Sequence, residues 1–121
     1  MKVLLINGSP HEKGCTYTAL SLIAGELKAQ GIETEILHVG GQPVGGCIGC
    51  GGCAKGNGCV FGGVVNEAIE KAKTADAFVF GTPVHYASAS GNMTSFMDRL
   101  AYAGGKYLAY KPAAICCSAR R

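Results

Sequence analysis

Seven cysteines stand at positions 15, 47, 50, 53, 59, 116 and 117, and four of them fall within thirteen residues. Cys47-x2-Cys50-x2-Cys53-x5-Cys59 has the compact spacing of an iron–sulfur ligand set. It is close to, but different from, the bacterial ferredoxin run with its closing proline. The intervening glycines let the backbone wrap closely and turn N–H donors towards sulfur. Four thiolates also suit zinc, although Cys-x2-Cys-x2-Cys is crowded for a zinc ribbon. A third reading leaves the same cysteines without metal, empty or joined as disulfides.

The second place for chemistry is Asn7-Gly8-Ser9-Pro10-His11-Glu12-Lys13-Gly14-Cys15-Thr16-Tyr17, which reads as the end of a strand, a loop of small residues and a helix start. Unsatisfied N–H groups and the partial positive charge at a helix N-terminus bind phosphate. Ser9 and Thr16 add hydroxyl donors. Gly-Lys-Ser/Thr is absent, which excludes a Walker A loop, and so is the Gly-x-Gly-x-x-Gly dinucleotide fingerprint. Alone, the segment reads equally as an ordinary strand-to-helix turn. No Ser-His-Asp set and no pair of catalytic carboxylates is visible.

Around these residues stands a chain of 121 residues, the length of one domain. Hydrophobic residues make up 48%, which excludes wholesale disorder. A net charge of +3 with 16% charged residues is too little basic charge for a nucleic-acid partner, and Arg120-Arg121 is the one local basic cluster. The apolar run Val3-Leu4-Leu5-Ile6 is shorter than the roughly 7–15 residues of a signal-peptide core. No run approaches the roughly 20 residues of a membrane span. A cytoplasmic location without membrane contact is therefore expected, where clustered cysteines read as metal or redox chemistry before disulfides.

The elements alternate. Lys2–Ile6 reads as a strand buried on both faces. Tyr17–Gln30 reads as a helix with Leu20, Ile23, Ala24 and Leu27 on one stripe, Thr16 as N-cap and Gly31 as stop. Ile32–Val39 is the second strand. From Gly40 to Gly63 the composition shifts, with eleven of the nineteen glycines beside four cysteines. Such a segment gains little from side-chain burial and is expected to be mobile unless organised by something it binds. Val64–Lys73 is a helix with Val65, Ala68, Ile69 and Ala72 inward, and Asp76–Gly81 the third strand. Thr82–Ser90 is a loop leading to a helix striped by Met93, Phe96, Met97, Leu100 and Ala101. Tyr102–Tyr110 is a mixed connection, and Ala113–Ser118 the fourth strand. Strand–helix alternation with continuously apolar strands predicts a three-layer α/β fold with a parallel sheet. The flavodoxin-like order is among the few topologies left, and it binds ligands at the carboxyl ends of strands one and three.

Gly8-Ser9-Pro10 with Gly14-Cys15-Thr16, Gly81-Thr82-Pro83-Val84-His85-Tyr86, Met97-Asp98-Arg99-Leu100, the cysteine loop and Ser118-Ala119-Arg120-Arg121 occur in that order. Together they resemble the NADPH-dependent FMN reductase and iron–sulfur flavoprotein families, over the whole chain. The resemblance implies a flavodoxin-like sheet that binds FMN and is reduced by NAD(P)H, with a flavin, quinone or similar small molecule as acceptor. It implies that Ser9, His11, Cys15, Thr16 and Tyr17 hold the FMN phosphate. Pro83, Val84, His85 and Tyr86 would flank the isoalloxazine, and Ser118, Ala119 and Arg120 would cover its other edge. It also implies a 4Fe–4S cluster on Cys47, Cys50, Cys53 and Cys59, and with it the alternative of an electron-transfer carrier.

Departures from the family pattern carry their own expectations. His11 stands where arginine is common, which weakens phosphate binding or makes it pH-dependent. Cys15 replaces a common asparagine, and His85 an aromatic hydroxyl. Phe61-Gly62-Gly63 replaces acidic residues after the last clustered cysteine. Family domains continue into a fifth strand, so residues 1–121 read as one C-terminally incomplete domain of strand order 2-1-3-4. Its last strand would be left open, to be covered either by a longer native chain or by a partner in a homodimer or higher oligomer. Elsewhere the simpler readings are structural: Cys116 and Cys117 as small core residues, His38 at the surface, Asp98-Arg99 as a pair on the third helix, and Met93 and Met97 as core.

Overall fold

The structure, a computed structural model, describes residues 1–120; Arg121, the second member of the terminal basic pair, lies outside them. Its first strand, β1 (Lys2–Asn7), pairs in parallel with β2 (Glu33–His38) on one edge and β3 (Ala77–His85) on the other. The last strand, β5 (Ala113–Ser118), runs parallel to β3, giving the expected parallel order with β1 inside. A two-residue strand, β4 (Ser88–Ala89), folds back antiparallel on the end of β3.

Helices cover both faces, which is why β1 is apolar at every position from Val3 to Ile6. Val3 and Leu5 pack with Leu20 and Ala24 of α1 (Cys15–Ala29). Leu4 and Ile6 pack on the opposite face with α2 (Val64–Thr74) and α3 (Gly91–Leu108). The period of two along the strand sends alternate side chains to opposite layers. Val65, Ala68, Ile69 and Ala72 of α2 are all buried, as their helical spacing requires.

Several boundaries differ from the sequence reading. The third strand does not end at Gly81 but continues through His85, because the Ser90 N–H donates to Thr82 Oγ1 at 3.1 Å and Val84 pairs with Ala89. The turn of this hairpin holds Tyr86 at φ 59°, a left-handed conformation uncommon for an aromatic residue. The segment from Tyr102 is not a connection: α3 runs on to Leu108. Gly104 does not break it, since this residue is a packing contact whose added Cβ would lie 2.8 Å from Ile69 Cγ1. Thr16 is not the cap of α1; Gly14 takes that position and Thr16 is buried one residue inside the helix. Met97, unlike Met93, is exposed, and so is Cys117, whereas Cys116 is half-buried against the α1 layer and burial pushes its thiol up.

The edge strand β2 carries Glu35 between two lysines, Lys2 at 2.8 Å and Lys71 from α2. The hydrogen bond from Lys2, then that from Lys71, holds the carboxyl below the ordinary carboxylate range. A depressed carboxyl contributes stability above its unfolded pKa and loses it as pH falls through the folded value. Glu35→Gln is therefore expected to lower the melting temperature modestly at neutral pH. The gap to wild type should close on acidification through the carboxylate range, as thermal melts at a series of pH values would show.

Candidate functional site

Three loops meet at the carboxyl ends of β1, β3 and β5 and line an open cleft of about 580 Å3. Ser9, His11, Gly14, Cys15 and Thr16 form one wall, Pro83, Val84 and His85 a second, and Ser118, Ala119 and Arg120 a third. The first wall is shaped from inside by fully buried Asn7. Its Oδ1 accepts from the Ser9 N–H at 3.1 Å, and its Nδ2 donates to the Glu12 carbonyl at 3.0 Å. Ser9 Oγ accepts from the His11 N–H at 3.1 Å, which leaves the serine hydroxyl hydrogen to be donated elsewhere. No side chain caps α1 and no acidic residue lies in its first turn. Its leading N–H groups and dipole are thus unclaimed, a donor set that fits a phosphate.

Glycines let the walls approach. Gly8 donates its N–H to the Gly81 carbonyl at 2.8 Å, and a Cβ on Gly8 would lie 2.6 Å from Met93 Cε. A Cβ on Gly40 would lie 2.2 Å from the Ser9 carbonyl oxygen. Ser90, which caps α3 by accepting from the Met93 N–H at 3.2 Å, also donates its hydroxyl to the Gly8 carbonyl at 2.8 Å. The Thr16 and Ser118 hydroxyls are 2.8 Å apart and tie the first wall to the third. His38 is half-buried rather than a free surface residue, its Nε2 2.7 Å from the Ser9 carbonyl. Of the residues expected around FMN, Tyr17 and Tyr86 are not in the lining; Tyr86 is fully exposed at its turn. Asn7 and Ser90 escaped the sequence reading, although a serine just before an apolar helical stripe is a cap signal.

The cysteine segment forms a second feature. Cys47, Cys50, Cys53 and Cys59 all line one cavity of about 150 Å3, walled by Ile48, Val60, Phe61, Arg99, Tyr102 and Ala103. Among the described residues no disulfide forms, and no three His, Cys, Asp or Glu side chains converge as a single metal ion requires. A cubane cluster makes a different demand, because each thiolate binds its own iron and the ligands surround a space rather than a point. In number and ligand chemistry, the four cysteines lining one cavity suit such a cluster.

Side chains of the protein's own helices hold the two ends of this glycine-rich segment. Asn92 of α3 accepts from the Val44 N–H at 3.0 Å and donates to the Gly40 and Gln42 carbonyls at 3.2 and 3.0 Å. Asn66 of α2 accepts from the Cys59 N–H at 2.8 Å and donates to the Cys59 carbonyl at 3.0 Å. Between these anchors lies a single 3-10 turn, Gly52–Lys55. Amide side chains supply the backbone partners that a sheet or helix would otherwise provide. Asp98 and Arg99 are not a pair: Asp98 is exposed, whereas Arg99 is buried and turns to the cysteine segment. Burial would raise the Cys59 thiol, but the Phe61 N–H and the Arg99 guanidinium outweigh it and hold the thiol below its ordinary value.

The pattern of the family described as NADPH-dependent FMN reductase matches residues 1–121. The chain belongs to that family. An iron–sulfur flavoprotein of Archaeoglobus fulgidus is 38% identical over 99 residues, covering 82% of this chain and 48% of that protein. One from Methanocaldococcus jannaschii is 33% identical over 99 residues, covering 82% of this chain and 51% of that protein. This family member thus spans about half the length of the curated relatives it matches. Solved structures share the fold. An NAD(P)H:quinone oxidoreductase from Methanothermobacter marburgensis superposes with TM-score 0.75 at 20% identity, over 98% of this chain and 64% of that one. The apo form of the NADH:FMN oxidoreductase EMOB gives 0.72 at 20% identity, over 99% and 59%.

The close approach at Gly40 gives this family member a testable weak point. Gly40→Ala must push backbone against backbone and is expected to cost about 1–3 kcal/mol. Gly45→Ala, where a Cβ meets nothing within 4 Å, is expected to be near neutral. Denaturant unfolding of the two variants measures the contrast.

Proposed function

We propose that this chain is the FMN-binding region of an NAD(P)H-dependent oxidoreductase whose acceptor is a flavin, a quinone or a similar small molecule. The observation that carries this reading is the convergence of three loops on one cleft over the uncapped, acid-free start of α1. The leading N–H groups of α1 and the Ser9 hydroxyl would hold the phosphate, with His11, Cys15, Thr16 and Tyr17 beside them. Pro83, Val84, His85 and Tyr86 would flank one side of the isoalloxazine, and Ser118, Ala119 and Arg120 the other. When bound, FMN supplies the hydride chemistry, accepting from the nicotinamide and passing electrons to the acceptor. The protein's part is to place the ring and shape access to it, so no triad or paired carboxylate is needed. A net positive charge disfavours a purely protein-to-protein flavodoxin role, for which an acidic docking face is usual.

A second reading, an iron–sulfur flavoprotein that passes single electrons between cluster and flavin, is supported by the four cysteines around one cavity. The printed names of the archaeal relatives point the same way. Cys47, Cys50, Cys53 and Cys59 would be the ligands. A homo-oligomeric state is supported by exposed apolar side chains on α3 and β5, with Tyr102 at 75% and Ile115 at 82% exposure.

Purified protein is expected to be yellow or to bind added FMN, and to oxidise NAD(P)H in the presence of free FMN or a quinone. A colourless protein indifferent to FMN overturns both readings. Anaerobic purification with iron and sulfide analysis separates them: about four irons per chain supports the carrier, and FMN without iron supports the simple reductase. Light scattering is expected to report a dimer or larger species, and a stable soluble monomer would contradict it.

A further inference from the structure

We propose that Arg99 is a positioning residue for the cysteine cavity, fixing the Cys59 sulfur against α3 and placing an unneutralised positive charge beside an iron–sulfur cluster held there. This rests on the second reading above. Arg99 is only 6% exposed. Its Nε donates to Cys59 Sγ at 3.2 Å, Nη1 to the Gly45 carbonyl at 3.2 Å and Nη2 to the Gly62 carbonyl at 3.1 Å. One side chain thus clamps the chain just before Cys47 and just after Cys59. The Phe61 ring lies 5.4 Å from its guanidinium carbon and closes over it.

The charge is the unusual feature. Buried arginines are as a rule paired with an anion. Among the described residues Arg99 has no carboxylate within ion-pair distance. Two carbonyl dipoles and one sulfur satisfy its donors without cancelling its charge. A four-thiolate cluster is anionic and becomes more so when it gains an electron, so a fixed neighbouring cation favours the reduced form. Hydrogen bonding to ligand sulfur and local charge are recognised means by which a protein sets such a potential. The planar fork is needed for the geometry, since lysine carries the charge but cannot reach three divergent acceptors as a rigid unit.

Two variants separate charge from clamp. Arg99→Gln removes the charge and keeps a donor; Arg99→Lys keeps the charge and loses the fork. After anaerobic reconstitution with iron and sulfide, a redox titration followed by electron paramagnetic resonance gives the midpoint potential, and loss of iron to a chelator gives cluster retention. FMN binding reports that the fold is intact. Arg99→Gln is expected to titrate at a lower potential than wild type. Arg99→Lys is expected to stay near the wild-type potential but to lose iron several-fold faster, and failure of either variant to hold iron while FMN binding persists also supports the clamp. Wild-type potential in Arg99→Gln together with wild-type retention in Arg99→Lys overturns the role of Arg99 alone. A wild-type protein that takes up FMN but no iron overturns the cluster reading and this proposal with it.

Discussion

At the carboxyl end of β1 there is no room for a Cβ. Gly8 lies against Met93, and Gly40 lies against the carbonyl of Ser9 at a distance where any side chain would collide with backbone. Three segments that are remote in sequence therefore meet at one point: the loop after β1, the segment after β2 and the middle of β3 beside the start of α3. Gly8 reaches the Gly81 carbonyl, and Ser90 reaches the Gly8 carbonyl. The walls of the cleft are positioned by this contact. So is the start of the cysteine segment, since Gly40 is its first residue.

Two kinds of cohesion act on either side of that point. The sheet and its helices are held by ordinary burial, with β1 at the centre and alternate side chains committed to opposite layers. The cysteine segment packs only Val44 and Cys59 against the core and is held largely by polar side chains. Asn92, Asn66 and Arg99 each make paired or triple contacts to its backbone or sulfur. Hydrogen bonds to a partly enclosed backbone satisfy groups that would otherwise cost free energy when desolvated. Gly58 shows how a glycine admits such a side chain, since a Cβ there would lie 2.8 Å from Asn66 Oδ1.

The third helix joins the two features. Ser90 and Met93, at its start, contact the loop after β1, while Asn92 and Arg99, seven residues apart on one helix face, contact the cysteine segment. A displacement of α3 would disturb the cleft and the cavity together. The close approach of Gly104 to Ile69 packs the far half of α3 against α2.

Local pattern determined much of this. The apolar run of β1, the stripe Val65, Ala68, Ile69 and Ala72, the glycine-serine loop and the cysteine spacing all express residue type at short range, so the fold class was legible, as was the grouping of the loop residues around one cleft and of the cysteines around one cavity; the strand order came with the family resemblance. The misreadings share another cause. Whether Tyr102–Tyr110 is a connection or carries the helix on past Gly104 depends on Ile69, thirty-five residues before Gly104 in the chain. Whether Arg99 pairs with Asp98 or crosses to Cys59 depends on where the cysteine segment lies. Thr16 looks like a cap until Ser118 is placed beside it. A side chain's partner across the fold is set by the three-dimensional arrangement of elements, and neighbouring sequence carries no record of it; only the tertiary structure decided which polar groups would hold the glycine-rich segment.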